Sequence, residues 1–173
     1  MRNLIFSLVF GFGCIQQYSI AQENDALDER NGFKDIKLGM SVDSLKGGKI
    51  KKEFKEKGNV YPSLLYEVEH PDYQRIGEIK VLKIELKAYK DFIYEISVIT
   101  EKDPRLMRAL ESVYGLATFD SKNNRYFWKS DQLILTYESR SKKELLLEYK
   151  SFIVPTMMKE DKEKKIENIA DDF

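Results

Sequence analysis

Apolar and polar residues alternate in six short runs, and this pattern constrains the chain more than any other feature. Leu64, Tyr66 and Val68 alternate with Leu65, Glu67 and Glu69, and Leu82, Ile84 and Leu86 alternate with Lys83, Glu85 and Lys87. Phe92, Tyr94, Ile96 and Val98 line one side of a third run. A period of two is the period of a strand with one buried face. Pro71-Asp72, Gly77 and Lys90-Asp91 punctuate these runs, so they read as an antiparallel meander. A second set follows. Tyr126 and Trp128 alternate with Arg125, Phe127 and Lys129, and then come Leu133, Leu135 and Tyr137, and Leu145, Leu147 and Tyr149. Ser130-Asp131 and the charged Arg140-Ser141-Lys142-Lys143 connect them.

Helical signals separate the two sets. Asp103 is a natural N-cap, Pro104 suits the first helical position and Gly115 can end the helix in the left-handed conformation. Leu106, Leu110, Val113 and Tyr114 form one stripe between them. Upstream, Phe33, Ile36 and Leu38 read as extended, Gly39 as a tight turn and Ser41 as the cap of an opening helix. Asp43 favours that helix start, and Met40 with Leu45 suits a hydrophobic staple. Gly47-Gly48 breaks the helix. Lys49 to Lys57 is expected to form a second short one, with Ile50 and Phe54 four apart and Gly58 at its end. The last stretch, 156–173, is a charged C-terminal tail whose apolar points are Met157, Met158, Ile166, Ile169 and Phe173. It reads as a frayed helix or as disorder.

The expected fold is therefore α+β, with two layers and helices packed on an antiparallel meander sheet. The order of elements is helix plus three strands, stated twice, as in a repeated unit. One sheet face is left open. Residues 33–155 make a single α+β domain.

The first residues carry a targeting pattern. Arg2 precedes an apolar run from Leu4 to Ile15, and Tyr18-Ser19-Ile20-Ala21 places small residues before Gln22. This is the layout of a secretory signal, 1–21, cleaved after Ala21. The run is shorter than the ~20 residues a spanning helix needs. Gly13-Cys14 offers a second option, lipidation at Cys14, although Gly11 stands where an aliphatic residue is usual in such sites. Cleavage after Ala21 leaves a mature chain without cysteine, followed by a polar, flexible leader over 22–32. The expected localisation is periplasmic or secreted, with no membrane contact unless Cys14 is lipidated. Twenty-nine basic and twenty-nine acidic residues cancel and are interleaved, so the charge excess of a nucleic-acid binder is missing.

The run Phe33-…-Ile36-…-Leu38-Gly39-Met40-Ser41-…-Leu45-Lys46, set before a meander, resembles the opening of two kinds of small bacterial secreted domain. These are the beta-lactamase inhibitory proteins and the small lipoproteins of the outer-membrane barrel-assembly machinery. The resemblance implies helices laid across an antiparallel sheet, and in the inhibitory proteins a unit used twice. The disulfides typical of the inhibitors and the strong lipobox typical of the assembly lipoproteins are both missing here.

Few residues carry the pattern of catalysis. His70 is the single histidine, and a triad or zinc site needs partners that the sequence does not place near it. Asp120, Asn123 and Asn124 have neither the glycine nor the terminal glutamate of a calcium loop and read as a turn. Gly47-Gly48 lacks the lysine-serine ending of a phosphate loop, and Ser41 and Ser44 are better explained by capping. No cofactor or metal is expected. Phe127, Ile134 and Leu146 instead fall on the outward faces of three consecutive strands, beside Arg125, Lys129 and Lys150. Such a cluster suits a protein interface with a basic rim; a second sheet edge or the tail covering it is the other outcome. The reading is an exported, non-enzymatic binding module that meets another protein through an open sheet face at Phe127, Lys129, Ile134 and Leu146. The alternatives are a cell-envelope accessory lipoprotein anchored at Cys14, and a small hydrolase or sugar-binding domain built from acids and tyrosines.

Overall fold

Two antiparallel meanders, joined through their last strands, form the centre of the molecule. The computed structural model describes residues 25–171, so the expected signal segment and Cys14 lie outside the described residues. In chain order the elements are α1 (Asp25–Arg30), β1 (Gly32–Phe33), β2 (Ile36–Lys37), a single 3-10 turn (Val42–Ser44), β3 (Gly48–Phe54) and β4 (Ser63–Val68). A second 3-10 turn (Pro71–Tyr73), β5 (Arg75–Ile76), β6 (Ile79–Tyr89), β7 (Phe92–Glu101) and α2 (Pro104–Tyr114) follow. β8 (Thr118–Asp120), β9 (Arg125–Lys129), β10 (Leu133–Ser139), β11 (Glu144–Ser151) and α3 (Ile153–Ala170) complete the chain. The main sheet runs β3-β4-β6-β7-β11-β10-β9-β8, with β5 paired to β6 off this path. The protein is α+β with an antiparallel sheet. Each meander contributes four strands to the path, one more than the alternation predicts.

One sheet face carries the main core. Leu86, Ile96, Leu135 and Leu147 from the sheet pack with Leu106 and Leu110 of α2, Leu27 of α1, and Phe33, Ile36 and Leu38. Burying each such side chain contributes roughly 1.5–3 kcal/mol. α2 matches its sequence signals closely. The Asp103 carboxylate accepts a hydrogen bond from the amide of Arg105 at 2.8 Å, Pro104 is its first residue and Gly115 follows with φ +79°.

The opening helix expected at Ser41 shrinks to one turn. Ser41 does cap it, its hydroxyl accepting from the Asp43 amide at 3.2 Å. The backbone on either side is already committed to the β6–β7 hairpin. The Gly39 amide donates to the Ile93 carbonyl at 2.7 Å, the Ile93 amide to Met40 at 3.1 Å and the Val42 amide to Asp91 at 2.9 Å. Gly47 then turns the chain at φ +68°, where an added Cβ would lie 2.1 Å from the Glu69 carbonyl oxygen. Only glycine fits that turn.

The helix expected over Lys49–Lys57 is instead strand β3 up to Phe54. Ile50 and Phe54 looked like a helical stripe, but Ile50 is 63% exposed and has no core to face. The segment is held as an edge strand by pairing with β4 and by cross-strand ion pairs of Lys49 with Glu69 (2.8 Å) and Lys51 with Glu67 (3.6 Å). Its lysines also suit an edge that should not recruit another strand.

Three further expectations change. Leu82 was placed inward by alternation, yet a register shift between Val81 and Lys83 turns it outward, and Val81 packs on the core in its place. Phe92, at the hairpin end of β7, is likewise exposed. The leader read as flexible over 22–32 folds, over its described part, into α1 and β1, because Leu27 is fully buried and Asp28 accepts a hydrogen bond from Ser130 Oγ at 2.5 Å.

α3 extends the body past residue 155. Val154 and Met158 bury themselves against Tyr89 and Tyr94 in a second cluster. The Asp161 carboxylate accepts from Tyr89 Oη at 3.0 Å and pairs with Lys90 at 2.6 Å. Beyond Asp161 the helix is exposed. No helix among the described residues is long and apolar enough to cross a membrane.

Candidate interaction face

The sheet face opposite the main core is built in cross-strand rows, because residues paired across an antiparallel ladder project to the same side. The central row reads Phe127, Thr136, Glu148, Ser97, Glu85 and Glu67 from β9 to β4. The row beside it reads Lys129, Ile134, Lys150, Glu95, Lys87 and Leu65. On the other side lie Glu138, Leu146, Ile99 and Lys83. The four residues singled out from the sequence, Phe127, Lys129, Ile134 and Leu146, therefore share one face. They surround Thr136, which is only 3% exposed. Phe127, Ile134 and Leu146 are each partly buried and Lys129 is exposed.

Three regions divide this face, one of them covered by α3, whose Val154 and Met158 bury Tyr89 two residues beyond Lys87. Around Thr136 it is apolar, with Ile99 buried beside Leu146. Toward β4 it becomes a lattice of alternating charge. Glu95, 7% exposed, is held by Lys87 at 2.8 Å and Lys150 at 3.6 Å, and Lys150 also reaches Glu148 at 2.7 Å. Glu85 takes Lys83 at 2.9 Å and Lys51 at 3.0 Å. Burial opposes the charge on Glu85, but hydrogen bonds from Lys83 and Lys51 outweigh it and hold the carboxyl below its usual range. Burial likewise opposes the charge on Lys150, and Glu148 and Glu95 outweigh it and raise its ammonium. Each of these carboxylates has a lysine at ion-pair distance. Lys129 stands apart, its Nζ 5.6 Å from the centre of the Phe152 ring.

The flanking basic residue Arg125 is engaged elsewhere, 3.4 Å from Asp120. Asp120 also accepts from the amides of Lys122 and Asn123 and from Asn123 Nδ2 at 2.6 Å. It is thus the cap of the β8–β9 turn. No group of three or more potential metal ligands occurs among the described residues. His70 caps the second 3-10 turn, its Nδ1 accepting from the Asp72 amide at 3.3 Å. A recess of about 420 Å³ lies beside it, lined in part by Glu69, Tyr73 and Lys83.

An aromatic ladder on the other face went unread in the sequence. Alternation places Tyr126 and Tyr137 inside; Tyr137 does pack against the core, but Tyr126 is 39% exposed and meets Phe119, itself half exposed, at a tilt with ring centres 4.9 Å apart. Tyr137 meets Tyr126 edge-on at 6.3 Å. α2 ends at Tyr114 and leaves this corner of the sheet uncovered. The visible signal was the short distance from Gly115 to Phe119.

Compared with protein-family models, with curated proteins and with solved structures, the chain gives no match.

Proposed function

We propose that this chain is an exported binding module that engages another protein through the sheet face centred on Thr136. One observation carries the reading: Phe127, Ile134 and Leu146, from three neighbouring strands, converge on one face beside Lys129, which has no carboxylate partner among the described residues. An apolar centre with a charged rim is the composition of protein interfaces. Lys129 and the lattice of alternating charge suit a partner whose rim is acidic next to an apolar centre. Contact through the part of this face that α3 leaves uncovered, a helix-plus-three-strands unit used twice, and the likeness of residues 33–46 to secreted bacterial domains belong to the same proposal. So does location outside the cytoplasm.

Two measurements test it. A partner recovered from the cell-envelope fraction should bind the wild-type protein and lose roughly tenfold or more in affinity with Ile134→Asp or Leu146→Asp. Unchanged affinity in both variants overturns the face. Intact mass of the protein from its native envelope should show a chain starting at Gln22. An acylated chain starting at Cys14 would replace the soluble module with an anchored accessory lipoprotein.

A further inference from the structure

The core face holds a recess of about 240 Å³ between α2, the β1–β2 hairpin and β11. Its inner wall is apolar and buried, with Phe33, Leu106, Leu110 and Leu147 all at or below 9% exposure. Well-packed interiors leave few voids larger than a water molecule. A cavity of ~150 Å³ lined by aliphatic side chains already takes up benzene, so a recess of this size has room for a small organic group. It falls below the ~300 Å³ that marks the low end of drug-sized sites, which limits the occupant to something small.

The rim is cationic. Arg30 and Lys34 are exposed and Lys37 is partly exposed, and all three line the recess. Ion pairs elsewhere on this protein are frequent, yet none of these three cations pairs with a carboxylate among the described residues. Lys37 Nζ donates to the Arg30 carbonyl at 2.6 Å, and Lys34 Nζ donates to the carbonyl of Asp72. Two lysines parked on neutral backbone oxygens, beside an arginine, concentrate positive charge over an apolar cavity. Tyr149, 3% exposed, and Tyr114 add phenol groups to the same lining.

We infer that this recess binds a small amphipathic anion, with its acidic head at Arg30, Lys34 and Lys37 and its hydrocarbon body against Leu106 and Leu110. Either half of such a ligand alone is a poor fit. A simple inorganic anion leaves the apolar wall wet, and a neutral hydrocarbon leaves the cations unanswered. The site is distinct from the partner face. β11 separates them, sending Leu147 and Tyr149 to the recess and Leu146 and Lys150 to the other side. The inference therefore stands or falls independently of the proposed partner.

Titration calorimetry with octanoate, octanol and sulfate tests it. Octanoate should bind, and octanol and sulfate should each bind roughly tenfold or more weakly. The triple variant R30Q/K34Q/K37Q, changed only at rim side chains, should lose octanoate affinity by a similar factor while keeping its circular dichroism. Leu110→Trp, which fills the recess, should also lose it. Amide correlation spectra should place the octanoate shifts on residues 30–37 and α2. No binding of octanoate at millimolar concentration, equal binding of octanol, undiminished binding by the triple variant, or shifts confined to other residues would each overturn the assignment.

Discussion

The indole Nε1 of Trp128 donates to the carbonyl of Gly115 at 2.8 Å, tying the C-terminal end of α2 to strand β9. Trp128 is 3% exposed, and its ring lies 6.2 Å from that of Tyr114. Gly115 ends α2, and this side chain anchors that end on the sheet. Trp128→Phe should keep the packing and lose the hydrogen bond, lowering unfolding free energy by about 1 kcal/mol. Trp128→Ala should cost about 3–5 kcal/mol. Chemical denaturation followed by circular dichroism measures both. Equal losses in the two variants would show that the hydrogen bond, and not the packing, dominates.

The docking of α3 gives a second prediction. Truncation after Lys162 removes, among the described residues, only exposed ones and should leave stability within about 0.5 kcal/mol of the full chain. Truncation after Ser151 uncovers Tyr89 and Tyr94 and removes Val154 and Met158 from their cluster, so it should cost several kcal/mol. Thermal unfolding of the two truncations distinguishes an integral helix from an appendage.

Stability should fall at both ends of the pH range. The Lys90 hydrogen bond, and after it that of Tyr89, keeps the Asp161 carboxyl below its ordinary 3.8. A carboxyl depressed by folding stabilises the native state fully above its unfolded value, and that contribution disappears as the pH drops through the folded value, below about pH 4. Asp161→Asn should flatten this acid limb. At the alkaline end, burial, reinforced by Asp161 for Tyr89 and by Asp35 for Tyr73, pushes both phenols up to about 12 from an ordinary 10.0. The folded protein then retains protons that the unfolded chain releases, so stability falls as the pH rises through that window. Ultraviolet titration should show a late class of tyrosines that vanishes in denaturant.

β3 presents Lys49, Lys51 and Lys52 at its edge, and lysine on an edge discourages strand addition. Replacing all three by valine should produce concentration-dependent aggregation, measured by light scattering, at a temperature where the native protein stays monodisperse. Unchanged scattering would show that another feature protects this edge.

How much was legible from residues alone depended on whether the deciding interactions were local. Asp103, Pro104 and Gly115 announce α2 through their own backbone preferences, and the structure follows them. Ile50 and Phe54 announced a helix because four-residue spacing is compatible with one. The competing interaction, pairing with residues 63–68, is not local, and it decided the outcome. Leu82 lost its inward place to a bulge between Val81 and Lys83, which sets two residues against one on the partner strand and leaves no mark in composition. Leu27 sits in a polar stretch and was invisible until α1 was seen against the core. The sharing of one sheet face by Phe127, Ile134 and Leu146 was readable because they break the alternation on strands that prove to be neighbours. The aromatic corner at Phe119 and Tyr126 was not, since the sequence does not show how far α2 reaches.

The central claim, that the face around Thr136 is the contact surface, is tested most directly by photo-crosslinking in the native cell. A photoreactive residue is placed in turn at Phe127, Leu146, Phe119 and Lys165. The account predicts that positions 127 and 146 both crosslink to the same protein, while 119 on the opposite face and 165 on α3 do not. Crosslinks from 119 or 165 with none from 127 and 146 would contradict it.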